Sequence, residues 1–466
     1  MNLSFRFDRS GHKGTLCSPN SKLSLLVVLL FSPLASAQTP ADLPPASARG
    51  SLLVRGATVH TVTRGTLVGD VLVRDGRIEA VGPGLRASAG VPVVEAAGMH
   101  LMPGLIDAHS HIALTDINEA TMPVVAEVQM RDSVDPTDVA IYRALAGGVT
   151  TAHLLHGSAN PIGGESETVK LRWGTLDPEG LLFEGAPRTI KFALGENPTR
   201  VHGRGREIRP NTRMGVEQTI REAFTEARAY RAEQDAAARE RRPLPPVDQR
   251  LETLAGVLDG SVLVHCHSYR ADEILMLMNV LRDFGVTRVT FQHANEAFKV
   301  APELAAFGAS ASVFSDWWSY KFEVYYSTAF NAAVLARTGV NTSLNSDDAG
   351  MIRTLFHEAA KTQRYGGLTD DEALALVTIN PARQLGIDAR VGSIEVGKDA
   401  DLALFTANPL SVYARVAMTV VDGVVRFDAA RDGDDQRLVV DPAQALPEVS
   451  LDTGRHEACM EGAMAF

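Results

Sequence analysis

The sequence predicts an α/β chain, a parallel barrel of alternating strands and helices flanked by two β-rich segments. Three observations carry this. Residues 103–384 alternate apolar strand-like runs with helical ones. The stretches on either side share a different texture of short β-type runs broken by glycine turns. And the run LMPGLIDAHSHI places His109 and His111 at the end of a buried strand. Residues i and i+2 of a strand point the same way, so this pair can grip one metal ion. Active sites of parallel α/β barrels are built at that end of the strands.

The chain has 466 residues and a formal charge of −11, with 45% apolar and 22% charged residues, values ordinary for a globular protein. Residues 1–37 carry +3 (Arg6, Arg9, Lys13 and Lys22 against Asp8), so the chain without them stands at −14. That charge argues against a nucleic-acid or anionic-membrane partner. Lys22, the apolar run LSLLVVLLFSPL over 23–34 and Ala35-Ser36-Ala37 read as a secretory signal peptide over 1–37, too short to span a membrane. Periplasmic or secreted bacterial localisation follows, with no stable membrane insertion after signal removal. Cys17 would leave with the signal; Cys266 and Cys459 give no disulfide framework. A small-molecule substrate is the expected partner, and a homo-oligomer is compatible with the composition.

The elements follow in order. QTPADLPPASA, within 38–48, is a linker. Residues 49–102 and 385–428 are expected to form one small β-sandwich from both flanks, with hairpin turns at Asp75-Gly76 and Asp422-Gly423. Within the barrel segment 103–384, the expected strands are GVTTAHLL, RTIKFAL, SVLVHCH, VTRVTFQH, ASASVF and VNTSLNSD. Helices are expected over 214–240 and 271–283, and a capping box (Thr369 with Glu372) opens another. The Gly-rich stretch Asn160 to Ser166 reads as a loop, a candidate lid without Walker spacing. The tail 429–466 shows no strong pattern.

Strand parity orients the candidate ligands. In the Thr189–Leu194 strand, Ile190, Phe192 and Leu194 share the face that packs on helices, so Lys191 points inward. An inward lysine is either paired with a buried acid or carboxylated by carbon dioxide into an anionic bridge between two metals. His265 and His267 repeat the i, i+2 pattern and both face inward; only one need bind metal. His293 closes the next strand. Val340 and Leu344 set the outward face of the last strand, so parity favours Asp347 as the functional acid and leaves Asp348 as a helix cap. Histidines, a lysine and an aspartate, each ending a strand, suit Zn²⁺.

Through PGLIDAHSHI, RTIKFALGENP, VLVHCH, FQHANEA, LNSDDAG and the run NPARQLGIDARVGSIEVGKDADLALF, the chain resembles the amidohydrolase superfamily. The nearest likeness is to imidazolonepropionase-like and prolidase-like metal-dependent hydrolases, over roughly residues 50–428. The resemblance implies a distorted (β/α)₈ TIM barrel with the composite sandwich. It implies two Zn²⁺ per chain: His109 and His111 on the more buried ion, a carboxylated Lys191 as bridge, His265 and His293 on the second, and Asp347 binding metal and shuttling the proton. Glu196, in Gly195-Glu196-Asn197-Pro198, departs from the prolidase-like pattern and competes with Lys191 as a ligand. Arg200, His202, His267, Tyr269 and Arg270 lie where loops would contact substrate, as do Arg204, Trp317, Trp318, Tyr320 and Lys321. Together these imply an exported hydrolase of an amide, dipeptide or N-acyl amino acid acting through metal-activated hydroxide. The alternatives are a one-metal cyclic amide hydrolase or deaminase, and an inactive binding protein.

Overall fold

The computed structural model describes residues 44–317 and 320–431. The signal segment, Cys17, Trp318, Cys459 and nearly all of the linker start and tail lie outside the described residues.

Among the described residues sixteen strands form two sheets. The flanking strands are β1 (Leu52–His60), β2 (Thr66–Arg74), β3 (Arg77–Gly82), β4 (Val93–Glu95), β5 (His100–Pro103), β14 (Leu402–Phe405), β15 (Val416–Val421) and β16 (Val424–Asp428). They join in the order β16-β15-β14-β5-β1-β2-β3, with β4 on β1, so one sheet is drawn from both flanks of the chain. Its own apolar core includes Leu52, Val54, Val71, Val73, Ile78, Leu101 and Leu402. The β2–β3 and β15–β16 turns hold Asp75-Gly76 and Asp422-Gly423 at positive φ (48° and 79°; 51° and 75°), as two-residue hairpins require.

The second sheet holds β6 (Leu105–Ser110), β7 (Val149–Leu154), β8 (Ile162–Lys170), β9 (Arg188–Ala193), β10 (Val262–Ser268), β11 (Val289–His293), β12 (Ser310–Val313) and β13 (Asn341–Leu344), paired in sequence order. It is a nearly closed barrel. Between β13 and β6 the ring is bridged by Leu344 N–H to Leu376 O (2.9 Å), Ile106 N–H to Val377 O (2.9 Å) and Asp347 N–H to His109 O (3.0 Å). Helices Arg213–Glu240, Gln249–Asp259, Ala271–Phe284, Ala301–Phe307 and Asn331–Arg337 fill the crossovers from β9 to β13. Ile190, Phe192 and Leu194 enter the shared core, where Phe192 meets Phe224 of the long helix at 5.8 Å between rings. Thr369 and Glu372 form the expected capping box. Asp348 accepts from Met351 N–H at 2.6 Å, which caps the following turn.

Two expectations are corrected here. The barrel is not uniformly parallel, because β8 runs antiparallel to both β7 and β9. And Gly163-Gly164, read as part of a lid loop, lies inside that strand and is buried. The glycines are needed for clearance: a Cβ on Gly163 would stand 2.6 Å from the His156 ring, and one on Gly164 2.5 Å from Val128.

At the far end of β8 the two sheets are tied by a buried charge cluster. Lys170, on the barrel strand, donates to Asp399 (2.8 Å) and Asp422 (2.6 Å) and pairs with Asp401 (3.0 Å), all supplied by the chain's return to the flanking sheet. Arg172 Nε adds a bond to Asp422 at 2.8 Å.

Candidate metal centre

The mouth of the barrel gathers imidazoles from three strands and one carboxylate. His109 Nε2 lies 3.2 Å from Lys191 Nζ and 3.3 Å from Asp347 Oδ1. His111 Nε2 lies 3.2 Å from the same carboxylate oxygen, and His293 Nε2 is 3.6 Å from Oδ2. His109, His293 and Asp347 offer ligand atoms within 4.8 Å of one another, a set able to hold one ion. His111 Nδ1 faces the Leu155 carbonyl at 2.9 Å. A carbonyl only accepts, so the hydrogen sits on Nδ1 and the Nε2 lone pair faces the centre.

Burial sets the protonation of this group. It holds His109 and His267 well below the ordinary imidazole value and His293 at about 3. Burial also works against the Asp347 anion, but the nearby His293, His111 and Lys191 more than offset it and hold the carboxyl at about 2. At neutral pH the centre therefore presents lone pairs and an anion. His267 Nε2 and Asp347 Oδ1 are buried with no hydrogen-bond partner. An orphaned ring nitrogen and an orphaned carboxylate oxygen are what a metal would satisfy, so the residues fit a divalent ion of the zinc type.

Two of the ligand positions rest on unusual backbone. On β11 the parity residues Thr290 and Gln292 face inward while Val289 and Phe291 join the outer core. His293 would follow the outer face, but its φ of 65° turns it back toward His109 (rings 4.6 Å apart). Asp347 likewise takes φ 48°. Both conformations cost energy, and both sit at the centre.

Depth separates the two inward histidines of β10. His265 pairs across the sheet with Lys191 and Thr290, one layer down, and its ring packs on His153 at 4.5 Å. His267 stands two residues nearer the mouth, with its ring 4.8 Å from His293. The structure thus brings His267, not His265, against the His293 side of the cluster.

Among the expected substrate contacts, Tyr269 stacks on His293 at 5.3 Å and donates no charge; its hydroxyl accepts from Tyr320 at 3.0 Å. Phe314 covers the other side of His293 at 4.9 Å, and Trp317 stacks on Phe314. Arg270 is committed to Asp272 (2.8 Å) at the next helix start and is 42% exposed. Arg200 pairs with Glu196 at 3.1 Å, and His202 is buried in the helical turn Thr199–Arg204. Glu196 is drawn into that rim and away from the competing ligand role: its other oxygen lies 3.9 Å from Lys321.

Lys321 anchors a charge cluster at the rim. Its Nζ donates to Asn197 at 3.1 Å, sits 4.2 Å from the Tyr269 ring centroid and lies 3.8 Å from Glu323. Arg213 pairs with Glu323 and, at 3.0 Å, with Glu273. Burial lowers the Lys321 ammonium and raises Glu273 to about 7.

Sequence reading passed over Asp107, Gln292 and the Glu273–Glu323 rim. Asp107 accepts from Ser346 N–H (3.0 Å) and from the Ser346 hydroxyl, which clamps the turn that carries Asp347. Its parity with His109 was the available signal.

Residues 326–426 match the amidohydrolase family. The chain is 33% identical over 396 residues to amidohydrolase tasK of Hapsidospora irregularis, covering 78% of this chain and 40% of that relative's length. It is 25% identical over 397 residues to a 5-methylthioadenosine/S-adenosylhomocysteine deaminase of Moorella thermoacetica, covering 76% and 85%. In structure it resembles an amidohydrolase from Thermotoga maritima MSB8, with TM-score 0.76 and 35% identity over 81% of this chain and 100% of that one.

Proposed function

The chain belongs to the amidohydrolase family, a family of hydrolases acting on C–N bonds, and within it we propose a metal-dependent hydrolase that cleaves an amide, dipeptide or N-acyl amino acid. The observation that carries this is the convergence of His109, His111, His293 and Asp347 beside buried Lys191 at the mouth of one barrel. His109, His111, His267, His293 and Asp347 would hold zinc, and His267 replaces the deeper His265 in the set expected from sequence. Lys191 stands where a carboxylated bridge between two ions would form.

A bound divalent ion supplies Lewis acidity and lowers the pKa of water. The chain does the rest. Asp347, kept anionic, accepts a proton at its carboxylate and delivers it to the leaving nitrogen. The Phe314–Trp317 and Tyr269 rings wall the centre and exclude water from it. Lys321 and the rim carboxylates orient polar ends of the substrate.

One observation favours a second reading, a one-ion deaminase or cyclic amide hydrolase: the tightest ligand group, His109, His293 and Asp347, suffices for a single metal. We further read the sheet drawn from both flanks as the family's small β-sandwich, supported by its separate core, and place the protein in the periplasm or outside the cell on the basis of residues 1–37.

Metal analysis of zinc-loaded protein, with a panel of dipeptides, N-acyl amino acids, lactams and aminopurine nucleosides, tests the proposal. Two ions per chain and amide turnover are expected; one ion with deamination shifts it to the second reading, and no bound metal ends both. Asp347→Asn should lower kcat by about 10²–10⁴-fold with fold intact; full retained turnover would remove it from the proton path.

A further inference from the structure

Gln292 is completely buried and faces the barrel interior. Its amide touches three groups. Nε2 lies 3.3 Å from the Ala108 carbonyl and 3.0 Å from His265 Nδ1, while Oε1 lies 3.2 Å from His109 Nδ1. The Ala108 carbonyl fixes which end is which. It can only accept, so the amide group facing it must be the NH₂; the reverse orientation would set two acceptors against each other. Oε1 then faces His109, whose hydrogen must be on Nδ1 and whose Nε2 lone pair points into the centre. On the other side the NH₂ donates to His265 Nδ1. That nitrogen must carry the lone pair, which leaves the His265 hydrogen on Nε2.

We infer that Gln292 is a positioning residue that imposes opposite tautomers on His109 and His265, making the first a metal ligand and withholding the second. The inference rests on the metal-centre reading above. It explains why two inward histidines on one strand face have different fates. His267 is near the ions' expected place, whereas His265 Nε2 is buried with no hydrogen-bond partner and, bearing a hydrogen, has no lone pair to offer. The Gln292 side chain reaches both rings because it is the inward residue of β11 directly before the backbone reversal at His293.

The test is ¹⁵N NMR of histidine-labelled protein, metal-free and zinc-loaded, alongside zinc affinity by chelator competition. Wild type should show His109 with hydrogen on Nδ1 and His265 with hydrogen on Nε2. Gln292→Met keeps the volume and removes both bonds; its zinc Kd should rise about 10–100-fold, the usual cost of losing an outer-shell partner. A wild-type His265 carrying hydrogen on Nδ1, or an unchanged Kd in Gln292→Met, overturns the inference. Wild-type protein that binds no zinc would defeat the metal reading instead, and the metal-free spectra would still decide the tautomers.

Discussion

Lys170 and Lys321 are both buried lysines ringed by carboxylates, yet their environments push them in opposite directions. At the junction of the two sheets, burial works against the Lys170 ammonium, but Asp401, Asp422 and Asp399 outweigh it and raise its pKa. At the rim of the metal centre burial prevails, and Glu323 and Glu196 only partly offset the lowering of Lys321. Distance is the cause. The junction aspartates stand 2.6–3.0 Å from Lys170. The rim glutamates stand 3.8 and 3.9 Å from Lys321, too far for hydrogen bonds. A buried ion pair repays desolvation only with close, hydrogen-bonded geometry. The junction has that geometry and serves the fold. Lys321 lacks it toward its carboxylates, so its ammonium is held less firmly than that of Lys170.

The largest effect separating the two is on stability. Lys170→Met removes the cation shared by three buried carboxylates and should cost about 3–5 kcal/mol in urea denaturation. Lys321→Met removes a poorly compensated charge and should cost under about 1 kcal/mol, while altering KM. Equal costs would erase the distinction.

The pH dependence should differ in sign. Glu273 has its folded pKa raised by burial from 4.5 to about 7. The folded state then binds more protons than the unfolded one between those values, so stability falls as pH rises through that window. The full loss is about 3 kcal/mol. At the junction, burial opposes the Asp422 anion but Lys170 and Arg172 prevail, and its folded pKa drops from 3.8 to about 2. That stability is present above the unfolded value and is lost as pH falls from 3.8 toward 2, by about 2 kcal/mol. Urea midpoints across pH should lose the first slope in Glu273→Gln and the second in Asp422→Asn; slopes that survive would assign them to other groups. The smallest expected effect is that of Tyr320→Phe, which deletes the 3.0 Å bond to Tyr269 and should cost about 1 kcal/mol in the same assay. A cost near zero would mean that this bond adds nothing to the aromatic wall.

Much of this was legible in the chain, and the parts that were not share a physical reason. Period-2 patterning correctly sets Lys191 opposite Ile190 and Phe192, because burial on the outer face forces the register. The hairpin dipeptides are equally direct, since Asp-Gly tolerates positive φ. Parity gives a face but no depth, so it could not choose between His265 and His267. It also assumes extended backbone to the last residue, which fails at His293 and at Asp347. The strand Ile162–Lys170 was hidden because its glycines answer to the close approach of His156 and Val128, a tertiary demand with no local trace. The Glu273–Glu323–Lys321 rim joins residues from separate crossovers, and only the folded barrel makes them neighbours.

The reversed direction of β8 has a further consequence. A parallel neighbour needs a crossover of a dozen or more residues, usually a helix, laid over the outside of the sheet. Turning one strand around spares the barrel that covering on this side. Among the described residues no α-helix lies between β7 and β9, and there Lys170 and Arg172 look straight onto the aspartates of the returning chain. Beside it, the Thr419 hydroxyl of β15 donates to Leu145 O, the end of the helix Val139–Leu145, at 2.6 Å. The helix-free flank is thus the berth where the terminal sheet moors to the barrel.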